Sequence, residues 1–192
     1  IQIVCLENYM PYVQQLVNDY DIRKVKWIVP GGETFLASVR NGVYALSEVC
    51  SSEDIVMIHM SVSPFIEEDI ITDAIDVCKK HGNSISMNPC LLCMGEYTTP
   101  EYSAKSILRE TLVGLNTPQT FHYSQLLEAF QWADSKNIMD KLEPHLTSLM
   151  YELGVKLYFS KGSQYNFKIT TKDDLDLFNG YLIAKQLKNN NL

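Results

Sequence analysis

Positive charge is in short supply in this chain: 16 Lys and Arg stand against 23 Asp and Glu among 192 residues, leaving a net charge of −7 at pH 7. A nucleic-acid groove needs clustered cations for phosphate contacts, so that class of partner is excluded. A small anionic molecule held by a few local cations is not. Long apolar runs are also missing. None approaches the roughly 20 residues that span a bilayer, and no charged segment followed by an apolar one opens the chain, so no membrane partner and a cytoplasmic location are expected. Five cysteines, an odd number, do not make a secreted disulfide framework. Cys90 and Cys93 have CxxC spacing, but with no second CxxC, no nearby His pair and no Trp-Cys context they read as two ordinary thiols. His59, His122 and His145 lack ligand spacing, and no protein metal site is expected.

What is present is a strand-helix rhythm. The stretch Pro30 to Gly42 turns a strand (Lys24 to Val29) into a helix from about Ala37 through Gly31-Gly32, where a Cβ would obstruct either the backbone or a ligand. Ahead of it, Ile1 to Leu6 reads as a strand, and Asn8 to Asp19 as a helix with Pro11 in its first turn. The chain opens on Ile1 with no cap or leader, and the expectation is that an N-terminal piece was cut from it or left out of the sequence. Asp54 to His59 is a nearly continuous apolar run, expected to be a central parallel strand buried on both faces. The next helix has Glu67, Glu68 and Asp69 at its start, Lys79, Lys80 and His81 at its end, and Gly82 as its stop. In an open α/β sheet of this kind, ligands sit where the turns gather at the carboxyl ends of the strands.

From about 86 to 113 the pattern breaks into short pieces around Pro89, Gly95 and Pro100, as expected of an arm outside the main sheet. Order returns at Leu112 to Leu115 and Thr117-Pro118-Gln119. Ser124 then stands where it could cap a helix carrying Leu126, Leu127, Phe130 and Ala133. A loop or broken helix is expected from Asp134 to Leu146, and a strand at Val155 to Phe159. Near the end, Thr171 and Asp174 read as a capping box for a last helix with Leu175, Phe178, Leu182 and Ile183 inward. Lys168 lies just before that helix, where the dipole gives a cation no reason to be.

Taken together, Gly31-Gly32-Glu33-Thr34 with Ser38 to Gly42, the strand ending in His59 with Pro64-Phe65, Arg109 to Leu112, Thr117 to Phe121, and Asn166-Phe-Lys168-Ile-Thr170-Thr171 resemble the methylerythritol-phosphate and ribitol-phosphate cytidylyltransferases. The motifs are in family order over almost the whole chain. The resemblance implies an α/β fold: a Rossmann-like nucleotidyltransferase sheet, mostly parallel, with helices on both faces and a protruding dimerisation arm, in one domain over 1–192. It implies transfer of CMP from CTP, with Mg²⁺, to a polyol phosphate in isoprenoid-precursor or cell-surface polyol metabolism, with release of pyrophosphate. Gly31, Gly32, Glu33 and Ser38 would border the cytosine and ribose. Arg109 and Thr117 would reach the polyol phosphate across a homodimer interface, and Lys168 would bind the same phosphate.

The family's glycine-rich triphosphate loop precedes the strand that begins at Ile1. Met60 stands where the family has an active-site acid, Ser63 where it has a phosphate-binding Arg, and Phe35 where it has an Arg after the glycine turn. These departures set an alternative beside the enzyme: a non-catalytic homologue serving as a binding or structural dimer subunit.

Overall fold

The computed structural model describes residues 1–190. Its first unit is a parallel pair, β1 (Gln2–Cys5) and β2 (Trp27–Pro30), joined by α1 (Met10–Asp19). The chain then enters α2 (Phe35–Ala45), two residues earlier than expected, because Thr34 caps it by accepting the Ala37 N–H through its hydroxyl at 3.1 Å. Leu36, Val39 and Val43 form the buried stripe of α2.

The main sheet has four strands in the order β3 (Ile55–Ile58), β7 (Val113–His122), β4 (Asn83–Pro89), β8 (Phe159–Lys161). Strands β3 and β4 both pair antiparallel to β7, and β8 pairs parallel to β4. Three strands therefore share one direction and β7 alone runs against them, so the sheet is mostly parallel as expected. The position of β3 differs from expectation. It lies at one end of the four-stranded order, half-buried, with an antiparallel neighbour, because β7 returns from the arm into the space between β3 and β4.

Helices cover both faces, and the alternation of β4 shows it. The Ser84 hydroxyl donates to the Ala74 carbonyl of α3 (Glu68–His81), whereas the next residue, Ile85, joins the core formed with α4 (Tyr123–Lys136) and α5 (Leu146–Glu152). Helix α3 has the boundaries its charges imply, with Gly82 left-handed at φ 91°. Helix α4 starts before Ser124, after His122, with no side-chain cap. The Ser124 N–H is taken by the Ser52 carbonyl instead.

Two further expected boundaries shift. Residues 86–89 belong to β4, and the arm proper is a small hairpin, β5 (Met94–Gly95) with β6 (Ser106–Ile107). The strand expected over 155–159 is shorter and later, running as β8 from Phe159, because Asn83 takes the Tyr158 N–H and the Lys156 carbonyl with its side chain. Helix α6 (Lys172–Asn190) has the expected capping box, Thr171 and Asp174 exchanging bonds at 2.8 and 3.2 Å. Its packing is different. It seats through Phe178 and Tyr181 on Phe65, with ring centroids 4.8 and 4.3 Å apart, while Leu175, Leu182 and Ile183 stay exposed. No described helix is long and apolar enough to cross a membrane.

Candidate functional site

The glycine turn lies where β1 and β2 end side by side. Cys5 is level with Pro30, and the Gly31 N–H donates to the Cys5 carbonyl at 2.7 Å. The two glycines are required by their own helix. A Cβ on Gly32 would fall 2.5 Å from the Ala37 Cβ, and one on Gly31 would fall 2.9 Å from the Ser38 hydroxyl. Ser38 bonds the turn to α2: its hydroxyl accepts the Gly32 N–H at 3.0 Å and lies 2.9 Å from the Thr34 carbonyl. Ser38 therefore shapes the turn, and its hydroxyl is committed inside it.

Above the turn is a shallow, open surface depression lined by Leu6, Glu7, Asn8, Gly31, Gly32 and Glu33. The sequence reading named only the β2 side. Leu6, Glu7 and Asn8 were missed, although a parallel β1–β2 pair brings both carboxyl ends to one edge. Two carboxylates and no cation line this space. It suits hydroxyl and amine donors, such as those of a ribose and a base, and it would repel a triphosphate. Among the described residues no three His, Cys, Asp or Glu side chains gather into a metal cage.

A second polar group forms around Thr117. The Thr117-Pro118 peptide is cis, and the β4–β7 register skips there, from Ile85 opposite Gln119 to Ser86 opposite Asn116. A proline inside a strand is accommodated by such a bulge. Thr117, freed from the ladder, is bound by side chains instead. Its N–H donates to Asn116 Oδ1 at 2.8 Å, and its carbonyl accepts from Asn166 Nδ2 at 2.6 Å. Thr117 is fully buried, and its hydroxyl faces the Met60 N–H at 3.5 Å. Lys168, two residues beyond Asn166, is exposed and has no ion pair among the described residues.

The loop after β3 closes this group. His59 Nε2 lies 2.8 Å from the Ser63 carbonyl. A carbonyl only accepts, so Nε2 carries the proton, and Nδ1 is left buried without a partner. Burial pushes the His59 pKa down, against the opposing effect of the Ser63 bond. Ser63 is itself buried beneath the loop, with its hydroxyl unpartnered. Phe35 packs at the core margin beside His145, 6.2 Å between rings. None of Met60, Ser63 and Phe35 can replace a phosphate-binding cation.

Arg109 stands apart. On the arm side of β7, its Nη1 donates to the Leu91 carbonyl at 3.1 Å and its Nε meets Glu110 at 3.4 Å. The structure therefore gathers Gly31, Gly32, Glu33 and Ser38 at one place and joins Thr117 to the Lys168 segment at another. Arg109 contacts neither group. A further cluster escaped the sequence reading: Arg40 and Tyr44 of α2 both bond Asp134 of α4, at 3.0 and 2.6 Å. Burial first, then the Asp134 carboxylate, pushes the Tyr44 phenol up to about 12.

Comparison with known proteins settles the family. A family model described as IspD, 2-C-methyl-D-erythritol 4-phosphate cytidylyltransferase, matches residues 1–184. The chain belongs to this cytidylyltransferase family. A ribitol-5-phosphate cytidylyltransferase of Lacticaseibacillus paracasei is 35% identical over 187 residues, covering 97% of this chain and 80% of that protein. A 2-C-methyl-D-erythritol 4-phosphate cytidylyltransferase of Clostridium acetobutylicum is 32% identical over 194 residues, covering all of this chain and 79% of its own length. Among solved structures, the Francisella tularensis 2-C-methyl-D-erythritol 4-phosphate cytidylyltransferase has a TM-score of 0.72 at 28% identity, covering 81% of this chain and 71% of that one. These relatives are named as cytidylyltransferases and lend no support to the non-catalytic alternative.

Proposed function

We propose that this IspD-family chain acts in transfer of CMP from CTP to a polyol phosphate, with ribitol 5-phosphate the first candidate and 2-C-methyl-D-erythritol 4-phosphate the second. An oxygen of the polyol phosphate attacks the α-phosphorus of CTP. The bond from that phosphorus to the bridging oxygen breaks, and pyrophosphate leaves with the electron pair. The reaction makes no new demand for acid or base at the attacking phosphate. Its barrier is governed by alignment and by neutralising the charge that accumulates.

The observation that supports this reading best is the open depression on the glycine turn, where Glu7 and Glu33 stand at the ends of β1 and β2. Its carboxylates favour a ribose and base over phosphate, which directs the nucleoside end of CTP to Glu33 and the strand ends. Lys168 then serves the phosphate end as a cation with no competing acid. Mg²⁺ enters as part of the substrate, carried by the CTP triphosphate. The ribitol-phosphate relative ranks ribitol 5-phosphate first, and with it cell-surface polyol metabolism ahead of isoprenoid-precursor synthesis. We place the reaction in the cytoplasm. We further propose a homodimer through the arm, in which Arg109 exchanges its Leu91 carbonyl for the polyol phosphate of the neighbouring copy.

The test is pyrophosphate release from MgCTP with each polyol phosphate, with the CDP-polyol identified by mass. Lys168→Ala should lower kcat/KM for the polyol phosphate by about 10² or more, the loss of roughly 3 kcal/mol of charge stabilisation. Release equal in wild type and Lys168→Ala, or none with either acceptor, would refute the reading.

A further inference from the structure

Lys168 is exposed and unpaired among the described residues, on a flexible four-carbon stem, so the placement of its backbone sets the region its ammonium group can reach. That backbone lies between Lys161 and Lys172, a stretch with no helix or strand of its own. Two side-chain amides hold it to the sheet. Asn116 Nδ2 donates to the Asn166 carbonyl at 2.6 Å, and Asn166 Nδ2 donates to the Thr117 carbonyl at 2.6 Å, across sequence separations of 50 and 49 residues. The Ile169 N–H adds a bond to the Val62 carbonyl at 2.8 Å.

We propose that Asn116 and Asn166 are positioning residues that latch the Lys168 segment to the Thr117 bulge and thereby set the region the Lys168 ammonium can reach. The inference rests on the proposed role of Lys168 toward the polyol phosphate and goes beyond it. The bulge withdraws Thr117 from the strand ladder, so its N–H and carbonyl need other partners, and the two asparagines supply them. Asparagine is required at both positions for its chemistry. Asn116 must accept from Thr117 N–H and donate to the Asn166 carbonyl at once. Asn166 must donate, since its opposite orientation would set Oδ1 against the Thr117 carbonyl, acceptor against acceptor. It is 1% exposed, and its Oδ1 is buried without a protein partner, so any misfit there is not relieved by bulk solvent. The same segment meets the His59–Ser63 loop through Ile169, so three separate chain segments meet at the backbone that carries Lys168.

Asn116→Asp is the informative variant, because it keeps the acceptor for Thr117 N–H and replaces the donor to the Asn166 carbonyl with a charged acceptor that repels it. Asn166→Ala removes the other half. Both are compared with wild type in two measurements. In amide hydrogen exchange of residues 163–169, a latch gives at least tenfold faster exchange at the Asn166 and Ile169 amides in both variants, with exchange in α4 unchanged. In pyrophosphate release, the KM for the polyol phosphate rises, or kcat falls, by tenfold or more, while the KM for CTP stays within twofold. Wild-type exchange over 163–169 in Asn116→Asp overturns the proposal. So does an equal rise in both KM values accompanied by general loosening of α4, which marks a merely structural role. Wild-type chain that neither binds nor turns over any polyol phosphate overturns the functional reading and the catalytic half of this inference, and the exchange data then decide the latch by themselves.

Discussion

Replacing Gly32 with alanine should damage this protein more than any exposed glycine substitution, and the damage should be steric. The added Cβ would lie 2.5 Å from the Ala37 Cβ and 3.0 Å from the Ala37 carbonyl carbon. One neighbour is a side chain with no rotamer to change and the other is backbone, so α2 must move away from the turn. Overpacking of this kind costs roughly 1–3 kcal/mol. A central value of about 2 kcal/mol is a factor of about 30 in the folding equilibrium. For a chain of this length it lowers the thermal midpoint by roughly 4–8 °C. The movement would also stretch the Ser38 bonds that close the turn and distort the floor of the acid-lined depression. Urea titration and CTP binding measured on the same samples test this, with Gly180→Ala as the control. Gly180 lies on the open side of α6 with nothing within 4 Å of its would-be Cβ, and alanine there should stabilise by up to about 1 kcal/mol. A double variant adding Ala37→Gly should recover part of the loss, since it removes the closest contact and leaves the backbone one. If Gly32→Ala matched wild type in both stability and CTP binding, the steric account of the glycine turn would be wrong.

Other outcomes follow from the titrating groups. Burial holds His59 neutral by lowering its pKa, so the unfolded chain binds more protons and stability should fall as pH drops below about 6.5; the slope of urea midpoint between pH 7 and 5 should be shallower in His59→Gln. Asp174 is held near pKa 2 by bonds from Thr170 and Thr171, so its capping contribution is complete above about pH 4 and lost as pH falls through 2; circular dichroism of Asp174→Asn should show α6 frayed at neutral pH and a flatter acid transition. Tyr44 should resist ionisation up to about pH 12 in an ultraviolet titration, and Asp134→Asn should move it only part of the way back toward 10, because burial is the larger cause. The same variant weakens the α2–α4 tie, at a cost of about 1 kcal/mol given the partly exposed pair.

The elements that could be read along the chain are those specified by local chemistry. Helix α3 has its acids, bases and Gly82 in the order a dipole and a left-handed cap demand, and the Thr171–Asp174 box needs only three residues of spacing. The motif set was enough to identify the family. Local patterns failed where a distant segment decided the outcome. The apolar run of β3 is what a strand buried between two neighbours would show, but its place at the end of the four-stranded order depends on β7 returning through the arm. The α6 residues Leu182 and Ile183 fit a helical stripe, yet the seat for the helix was set by Phe65, more than a hundred residues away.

The candidate site divides in the same way. From sequence alone came the glycine turn, the lone Lys168, Thr117 beside its proline, and the losses at Met60 and Ser63, because residue type and spacing carry that chemistry. Only the tertiary structure decided that Glu7 and Asn8 share a depression with Glu33, that Ser38 is committed to the turn, that Thr117 is buried, and that Asn116 and Asn166 tie it to the Lys168 segment. The reason is physical. Caps, turns and amphipathic stripes are satisfied within a few residues of themselves, whereas a buried amide donor is satisfied by whichever chain segment the fold delivers, and no local pattern records which segment that is.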